Sequence, residues 1–396
     1  MDPRSAGGRR GGVVLTAGLG LAAAALLLCA AGCSPKEEAP AKVGFVLTGG
    51  GATGAQAPAA GPPAAAAVQH VRTPIERPEE KHLRNVRMLT DGGENAEAYW
   101  SWDGTRLVFQ ARRGEDGCDK IYTMKLGGEV PEQRKIVTDG ACTCAYFLPG
   151  DERVIFSSTM SGGTDCPPRP DMSQGYVWGL YPDYEIYSAR PDGTDVVRLT
   201  DSPGYDAEAT ARRDGRIVFT SVRDGDLDIY SMKSDGSDVR RLTDAPGYDG
   251  GPWFSPDGTR IIYRAHHPTD PQELADYRAL LAKDQVRPGK LEIWVMNADG
   301  SDQRQVTNLG GANFAPFFTP DGQGIVFVSN HHEPRSRNFD VFLVRLDGTG
   351  LERVTYNETF DGFPMFSPDG TKLVFCSNRG TAREGDTNVF VADWVP

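Results

Sequence analysis

The stretch FSPDGTRIIYRAHH (254–267) decides the fold, because altered copies of it recur as FTPDGQGIVFVSNHH (318–332) and FSPDGTKLVFCSNRG (366–380). Each copy joins two apolar runs through an Asp-Gly turn. Glycine supplies the positive φ that a tight hairpin demands at no steric cost. Working outward, a leucine or valine followed by threonine precedes every copy, ending at Thr90, Thr138, Thr200, Thr243, Thr307 and Thr355. About fourteen residues after each threonine comes the turn, with Asp103, Asp151, Asp214, Asp257, Asp321 or Asp369. An apolar run comes next (RLVF, RVIF, RIVF, RIIY, GIVF, KLVF). A variable loop leads to a third run, KIYTM, EIYSA, DIYSM, EIWVM, DVFLV or NVFVA.

Four short runs rich in β-branched and aromatic residues, separated by Asp-Gly turns, make one four-stranded antiparallel sheet. One such sheet cannot bury both faces alone; units of this length stack radially. Six units predict an all-β, six-bladed β-propeller over residues 84–396. The chain enters on an outer-strand motif, NVRMLT (85–90), and leaves on a third strand, NVFVADW (388–394). The first should therefore pair with the last blade and close the ring, which removes an exposed edge.

Residues 1–32 read as an export signal: Arg4, Arg9 and Arg10, then the apolar VVLTAGLGLAAAALLLCAA (13–31), then AAGC ending at Cys33. Small residues before a cysteine resemble the bacterial lipoprotein signal, with Cys33 as the lipidated residue. Residues 33–83 form an Ala/Pro/Gly-rich tether with too little apolar surface to fold. The expectation is an exported, lipid-anchored protein, at the outer membrane and facing the periplasm. The formal net charge of −12 argues against nucleic acid as partner.

The combination of SPDGTRIIY, LTD and DIYSM with DGSD resembles the TolB-type propeller repeat, found in periplasmic TolB and in many bacterial lipoproteins and enzymes. The resemblance covers nearly all of the chain after residue 84 and implies the fold more than a function. TolB itself carries an α/β domain before its propeller, where this chain has the tether. The same repeat resembles the propeller of prolyl-oligopeptidase-type peptidases, but no G-x-S-x-G occurs here.

Two insertions interrupt the blades on one face, 158–184 in blade two and 267–290 in blade four. The second predicts a helix: Asp270 as cap, Pro271 at the first position, Glu273 returning a bond to the cap, and Leu274, Tyr277 and Leu281 as an apolar stripe. It packs on its own blade or forms a lid.

Aligning the blades brings Arg113, Met160, Arg223, His267, His331 and Arg379 to one position. It brings Asn95, Thr143, Asp206, Asp249, Asn313 and Asp361 to the start of the innermost strands. The candidate ligand-binding set is therefore His266, His267, His331, His332, Asp206, Asp249, Asn313 and Asp361 near the channel mouth. His267, His331 and Asp249 are ligand types suited to a divalent metal. Distantly similar propeller lyases acting on pectin fragments use repeat-borne histidines around a metal. The competing reading is that the histidines and aspartates only bind neighbouring loops. The Asp-Gly pairs at 192, 235, 299 and 347 are turns, not calcium sites.

Cys118, Cys142, Cys144 and Cys166 admit three pairings. The reading favours Cys144–Cys166 and Cys118–Cys142, with a four-cysteine metal cluster as runner-up; Cys376 is a buried thiol. With no nucleophile or acid pair in evidence, the expected function is binding of an envelope protein or glycan by a monomeric propeller. The alternative is a metal-dependent lyase or hydrolase on a carbohydrate through His267 and His331.

Overall fold

The computed structural model describes residues 74–396 apart from Glu129 and Gln174. The export signal, Cys33 and the tether up to residue 73 lie outside the described residues. Six four-stranded antiparallel sheets are arranged as the blades of a propeller. The innermost strands are Glu94–Trp100, Cys142–Phe147, Asp206–Ala211, Tyr248–Phe254, Asn313–Phe318 and Asp361–Phe366. The sixth blade takes its outer strand from the other end of the chain: Leu83–Met88 pairs antiparallel with Asn388–Trp394. The ring thus closes as the sequence predicts, and the sheet edge left by the last blade is covered.

Five of the six blades repeat one polar device, all but the first, whose Thr138 is exposed. The threonine of the Leu/Val-Thr motif is buried and accepts a hydrogen bond from the backbone of the third strand, as from Ile186 to Thr200 (2.8 Å) and from Ile293 to Thr307 (2.8 Å). Its hydroxyl donates to the acidic residue that opens that strand, Glu292 at 2.6 Å in blade four. Where the motif is Arg-Leu-Thr or Arg-Val-Thr, the arginine pairs with the same acid: Arg198 with Glu185 (2.6 Å), Arg241 with Asp228 (2.6 Å), Arg353 with Asp340 (2.5 Å). Buried acids keep their charge only when paired and hydrogen-bonded in this way. The turn aspartates are local as well. Asp257 accepts from the Thr259 amide (3.0 Å) and the Ser255 hydroxyl (2.5 Å), which holds its carboxyl below the usual range.

Packing begins before the first repeat, inside the stretch assigned to the tether. Arg379 and Glu80 are both fully buried and joined by two hydrogen bonds of 2.7 and 2.8 Å; Arg379 also pairs with buried Asp361 and donates to the Ile75 carbonyl (3.1 Å). Arg77 reaches Asn357 (2.9 Å). This clasp adds a side-chain lock to the strand closure. Breaking a buried pair strands an uncompensated charge. Glu80→Ala should cost about 3–5 kcal/mol in denaturant unfolding, whereas Glu79→Ala, at an exposed position, should cost less than about 0.5 kcal/mol.

Candidate functional site

The residues that face the channel are set by a bulge. In every innermost strand the pairing register slips, between Ala96 and Tyr99, Thr143 and Tyr146, Ala207 and Thr210, Gly250 and Trp253, Phe314 and Phe317, and Gly362 and Met365. Each bulge holds one residue in the left-handed region: Glu97, Cys144, Glu208, Gly251, Ala315 and Phe363, with φ between 47° and 61°. Five of these six are not glycine, and a side chain there carries backbone strain of order 1 kcal/mol or more. All six line one cavity of about 490 Å³ at the channel mouth.

Two residues further on, Tyr99, Tyr146, Thr210, Trp253, Phe317 and Met365 form the floor. Trp253 sits edge-on at the centre, with ring centroids 4.9 Å from Tyr99, 5.0 Å from Tyr146 and 5.0 Å from Phe317. This plug separates the chamber from a second hollow of about 320 Å³ on the opposite face, rimmed by Pro256, Pro320, Pro368 and Trp102.

The two insertions make the roof, and they make it together. Trp178–Gly179 of blade two pairs antiparallel with Gln285–Val286 of blade four. The Leu180 amide donates to the Asp284 carbonyl (2.7 Å). The helix Pro271–Leu281 is capped by Asp270 with proline first, as predicted. Glu273 does not return to the cap; it binds Lys290 (2.7 Å) and His266 (3.1 Å) instead. Tyr277 anchors the helix to blade three through the Gly247 carbonyl (2.7 Å) and Asp226 (2.5 Å). Leu274, Tyr277 and Leu281 share a core with Leu180, Tyr205, Leu227 and Tyr248. The helix therefore packs across blades rather than on its own blade alone.

Cys118 and Cys166 form the disulfide, 48 positions apart in the chain. This corrects the expected Cys144–Cys166 and Cys118–Cys142 pairs. Cys144 lies in a bulge facing the chamber and Cys142 is buried, so neither reaches the loop that carries Cys166; both are free, as is buried Cys376. Burial pushes the Cys144 thiol well above its ordinary value and the Cys142 thiol up to about 11. The bridge ties the roof to blade one.

The histidines and aspartates singled out from the sequence lie elsewhere. None of His266, His267, His331, His332, Asp206, Asp249, Asn313 or Asp361 lines the chamber. The residues opening the innermost strands point along their own blade, where Asp206, Asp249, Asn313 and Asp361 are fully buried. Each meets the residue that the alignment placed beside it: Arg113 on Asn95 (2.9 Å), Arg223 on Asp206 (2.9 Å), His267 on Asp249 (2.9 Å), Arg379 on Asp361. His331 reaches Asn313 through the Ser329 hydroxyl (2.9 and 2.6 Å). The same side chains pack on the third-strand aromatic: Arg113 over Tyr122 (4.7 Å), Arg223 over Tyr230 (5.0 Å), His267 edge-on to Trp294 (4.8 Å), His331 tilted against Phe342 (4.5 Å). His332 sits 3.1 Å from Asp340, beside Arg353.

His267 thus does the work that arginine does in sister blades. His267, His331 and Asp249 do not converge. Among the described residues no group of three histidine, cysteine, aspartate or glutamate side chains is placed to hold a metal ion. In blade two the alignment is one residue off: Cys142, not Thr143, pairs across to Ser158 as Asp206 does to Ser221. Asp151 belongs to an altered turn whose carboxylate binds the Trp102 and Asp103 amides of the preceding blade (both 2.8 Å).

The chamber's own chemistry is acidic and aromatic. Glu208 accepts from the Thr220 hydroxyl (2.7 Å) and the Gly251 amide (2.8 Å) and pairs with Arg264. Arg264 donates to Tyr248 Oη (2.9 Å) and lies over Trp178 (5.1 Å) and Tyr248 (5.5 Å). A Cβ at Gly251 would stand 2.2 Å from the guanidinium, so a side chain there would have to displace Arg264. Burial opposes the charge of Arg264, but Glu208 and Tyr248 outweigh it and raise its value. Among the described residues Glu97 has no such counter-ion. Burial pushes its carboxyl up to about 7, and the nearby Glu208 adds to the rise while Cys144 and Arg264 oppose it. Asp119, at the rim, is raised by burial to about 6.

Comparison with known proteins agrees with this architecture. Residues 281–394 match the family model of the TolB beta propeller domain. A TolB-type protein from Agrobacterium tumefaciens superposes with a TM-score of 0.52 at 22% identity, covering 77% of this chain and 91% of that one. TolB from Acinetobacter baumannii gives 0.45 at 19% identity, over 65% of this chain and 53% of that one, so this chain spans about half of that TolB. An oligogalacturonate lyase from Vibrio parahaemolyticus gives 0.46 at 14% identity, over 78% and 93%. No curated protein matches. The chain carries a six-bladed β-propeller, of which residues 281–394 match the TolB propeller domain.

The pairing of His267 with Asp249 carries a pH dependence. Burial opposes the imidazolium, but the Asp249 carboxylate outweighs it and raises His267 above its ordinary value. A raised folded value stabilises fully below the unfolded value of about 6.5 and is lost as pH rises through the folded one. His267→Arg keeps the charge. The wild type should therefore lose stability relative to His267→Arg as pH rises above about 6.5, read from denaturant midpoints across pH.

Proposed function

We propose that this chain is an exported, lipid-anchored binding protein of the cell envelope, monomeric, whose roofed chamber receives a small ligand or the projecting end group of a glycan or protein partner. The observation that carries this reading is the convergence of six bulge residues, five of them strained, on one cavity beneath a roof built from both insertions. Residues in sparsely populated backbone conformations cluster at ligand sites, and here they border a concave one. A volume of about 490 Å³ suits a small molecule or one or two sugar residues, not a flat protein face. Aromatic walls from Trp178, Tyr205, Tyr248, Phe314 and Phe363 offer stacking surfaces to such a group.

The AAGC sequence supports anchoring through Cys33, with residues 34–73 as spacer, and Ser34 rather than aspartate after it favours the outer membrane, facing the periplasm. Among the described residues no helix is long and apolar enough to cross a membrane. The metal-dependent lyase reading draws less support, since His267 and His331 are each hydrogen-bonded within their own blades.

Envelope saccharides and peptides titrated into the purified protein, with tryptophan fluorescence and calorimetry as readouts, test the chamber. Trp178→Ala and Phe363→Ala should each weaken binding roughly 3- to 10-fold. The Cys118→Ser/Cys166→Ser variant should weaken it too by loosening the roof. Binding that none of these variants alters would overturn the assignment. Cys33→Ala should abolish fatty-acid labelling and release the protein from membranes.

A further inference from the structure

We propose that the chamber binds a small organic ammonium cation and that Glu97 is the carboxylate that receives it. This rests on the chamber being the binding site and names the chemistry of the group that enters.

The chamber already holds one cation, and the way it does so shows what its walls favour. The guanidinium of Arg264 lies over the rings of Trp178 (5.1 Å) and Tyr248 (5.5 Å) and pairs with Glu208. A carboxylate with aromatic faces beside it is the usual surrounding of a bound ammonium group. Glu97 occupies the equivalent bulge two blades away from Glu208, at φ 53°, and lines the same cavity. It has the carboxylate and, in Tyr99, Tyr205, Phe314 and Phe363, aromatic walls within the chamber. Phe314 and Phe363 lie with centroids 6.1 Å apart and Phe314 stands edge-on to Trp178 at 6.4 Å.

Among the described residues no arginine, lysine or histidine forms an ion pair with Glu97, and Arg264 is committed to Glu208. Holding a carboxyl in a protein-enclosed chamber without a counter-ion costs stability. Here it also holds a strained backbone conformation. A bound cation supplies the missing opposite charge.

The groups facing Glu97 are Glu208 from blade three, Arg264 from blade four, Cys144 from blade two, Cys376 from blade six, and Asp119 and Tyr99 from blade one. Glu94, Arg112 and Arg169 stand further along the lining, and Glu94 is paired with Arg112. Cation binding requires ionised Glu97, so it must expel a proton wherever Glu97 is protonated. Affinity should be constant well above pH 7 and fall about tenfold per pH unit below it. Asp119, raised to about 6, titrates lower, so the interval from about pH 8 to about pH 6 reports mainly on Glu97.

The test is calorimetric titration of the full-length protein with choline, ethanolamine and putrescine. The neutral isostere 3,3-dimethylbutan-1-ol serves as comparison. Choline keeps its charge at every pH, so any pH dependence belongs to the protein. The expected result is binding of at least one ammonium probe, about tenfold or more tighter than the isostere and weakening from about pH 8 to about pH 6. Glu97→Gln, with the same shape, should abolish both the preference and the pH dependence while its melting temperature stays at or above the wild-type value. Three outcomes overturn the proposal: no ammonium probe binding at millimolar concentration, equal affinity for the isostere, or unchanged choline binding in Glu97→Gln. If saccharides still bind and respond to Trp178→Ala in that case, the chamber remains the binding site and only the cationic ligand is lost.

Discussion

The structure depends on one backbone irregularity repeated six times. Where six sheets meet around an axis, the innermost strands face each other at short range, and a regular strand would send alternate side chains into its neighbours. The bulge inserts a residue, bends the strand and re-aims the side chains beyond it. One residue then enters the channel, and the residue two positions on closes it. Chamber and plug are consequences of this step: Glu97 and Glu208 belong to the chamber because they sit in bulges, and Tyr99 and Trp253 belong to the floor because they lie just past them. Five blades place a chiral side chain in a conformation that glycine adopts more cheaply. The glycine of blade four has a different reason to be there, since a Cβ would crowd Arg264 where it crosses to Glu208.

A second repeated device keeps the blades in register. The residue opening the first strand binds the side chain after the second strand, which packs on the aromatic of the third. Three strands are fixed by one side chain. Arginine, histidine or asparagine-linked histidine can fill the role because each offers a donor edge and a flat face. A buried aspartate makes the choice consequential: Asp206, Asp249 and Asp361 would each be costly if left alone. In the closing blade the device is extended, with Glu80 from before the first repeat joining Arg379 and Asp361. The closure is therefore electrostatic as well as a matter of strand pairing.

The blades, their number and the closing strand were legible because turn chemistry and apolar alternation are local. PDGT predicts a hairpin wherever it occurs. The alignment that brought His267 beside Arg223 and Arg379 was legible too, and it identified a true structural position. Its functional reading failed because an aligned histidine beside an aligned aspartate looks the same whether the pair faces a channel or its own sheet. The bulges were not legible. Glu97, Cys144, Glu208, Gly251, Ala315 and Phe363 share no chemistry, only a register slip that appears once strands pair. A usable signal existed in their fixed spacing, two residues before Tyr99, Tyr146, Trp253 and Phe317, which are aromatic at a position where a central channel has to be filled.

The roof was the least legible part, and the reason is general. Pairing between Trp178–Gly179 and Gln285–Val286 joins segments separated by a whole blade, and nothing local in either specifies the other. Only the closed ring brings them within reach. The same geometry selects Cys118 for Cys166, since the blade-two loop folds outward over blade one while Cys144 is held inward by its bulge. Repeated elements thus fix the scaffold and the chamber's outline, and departures from repetition equip it: two insertions, a disulfide, an arginine drawn across the channel and a carboxylate with no ion-pair partner among the described residues. That division is what a propeller permits, because each blade needs only its neighbours to fold.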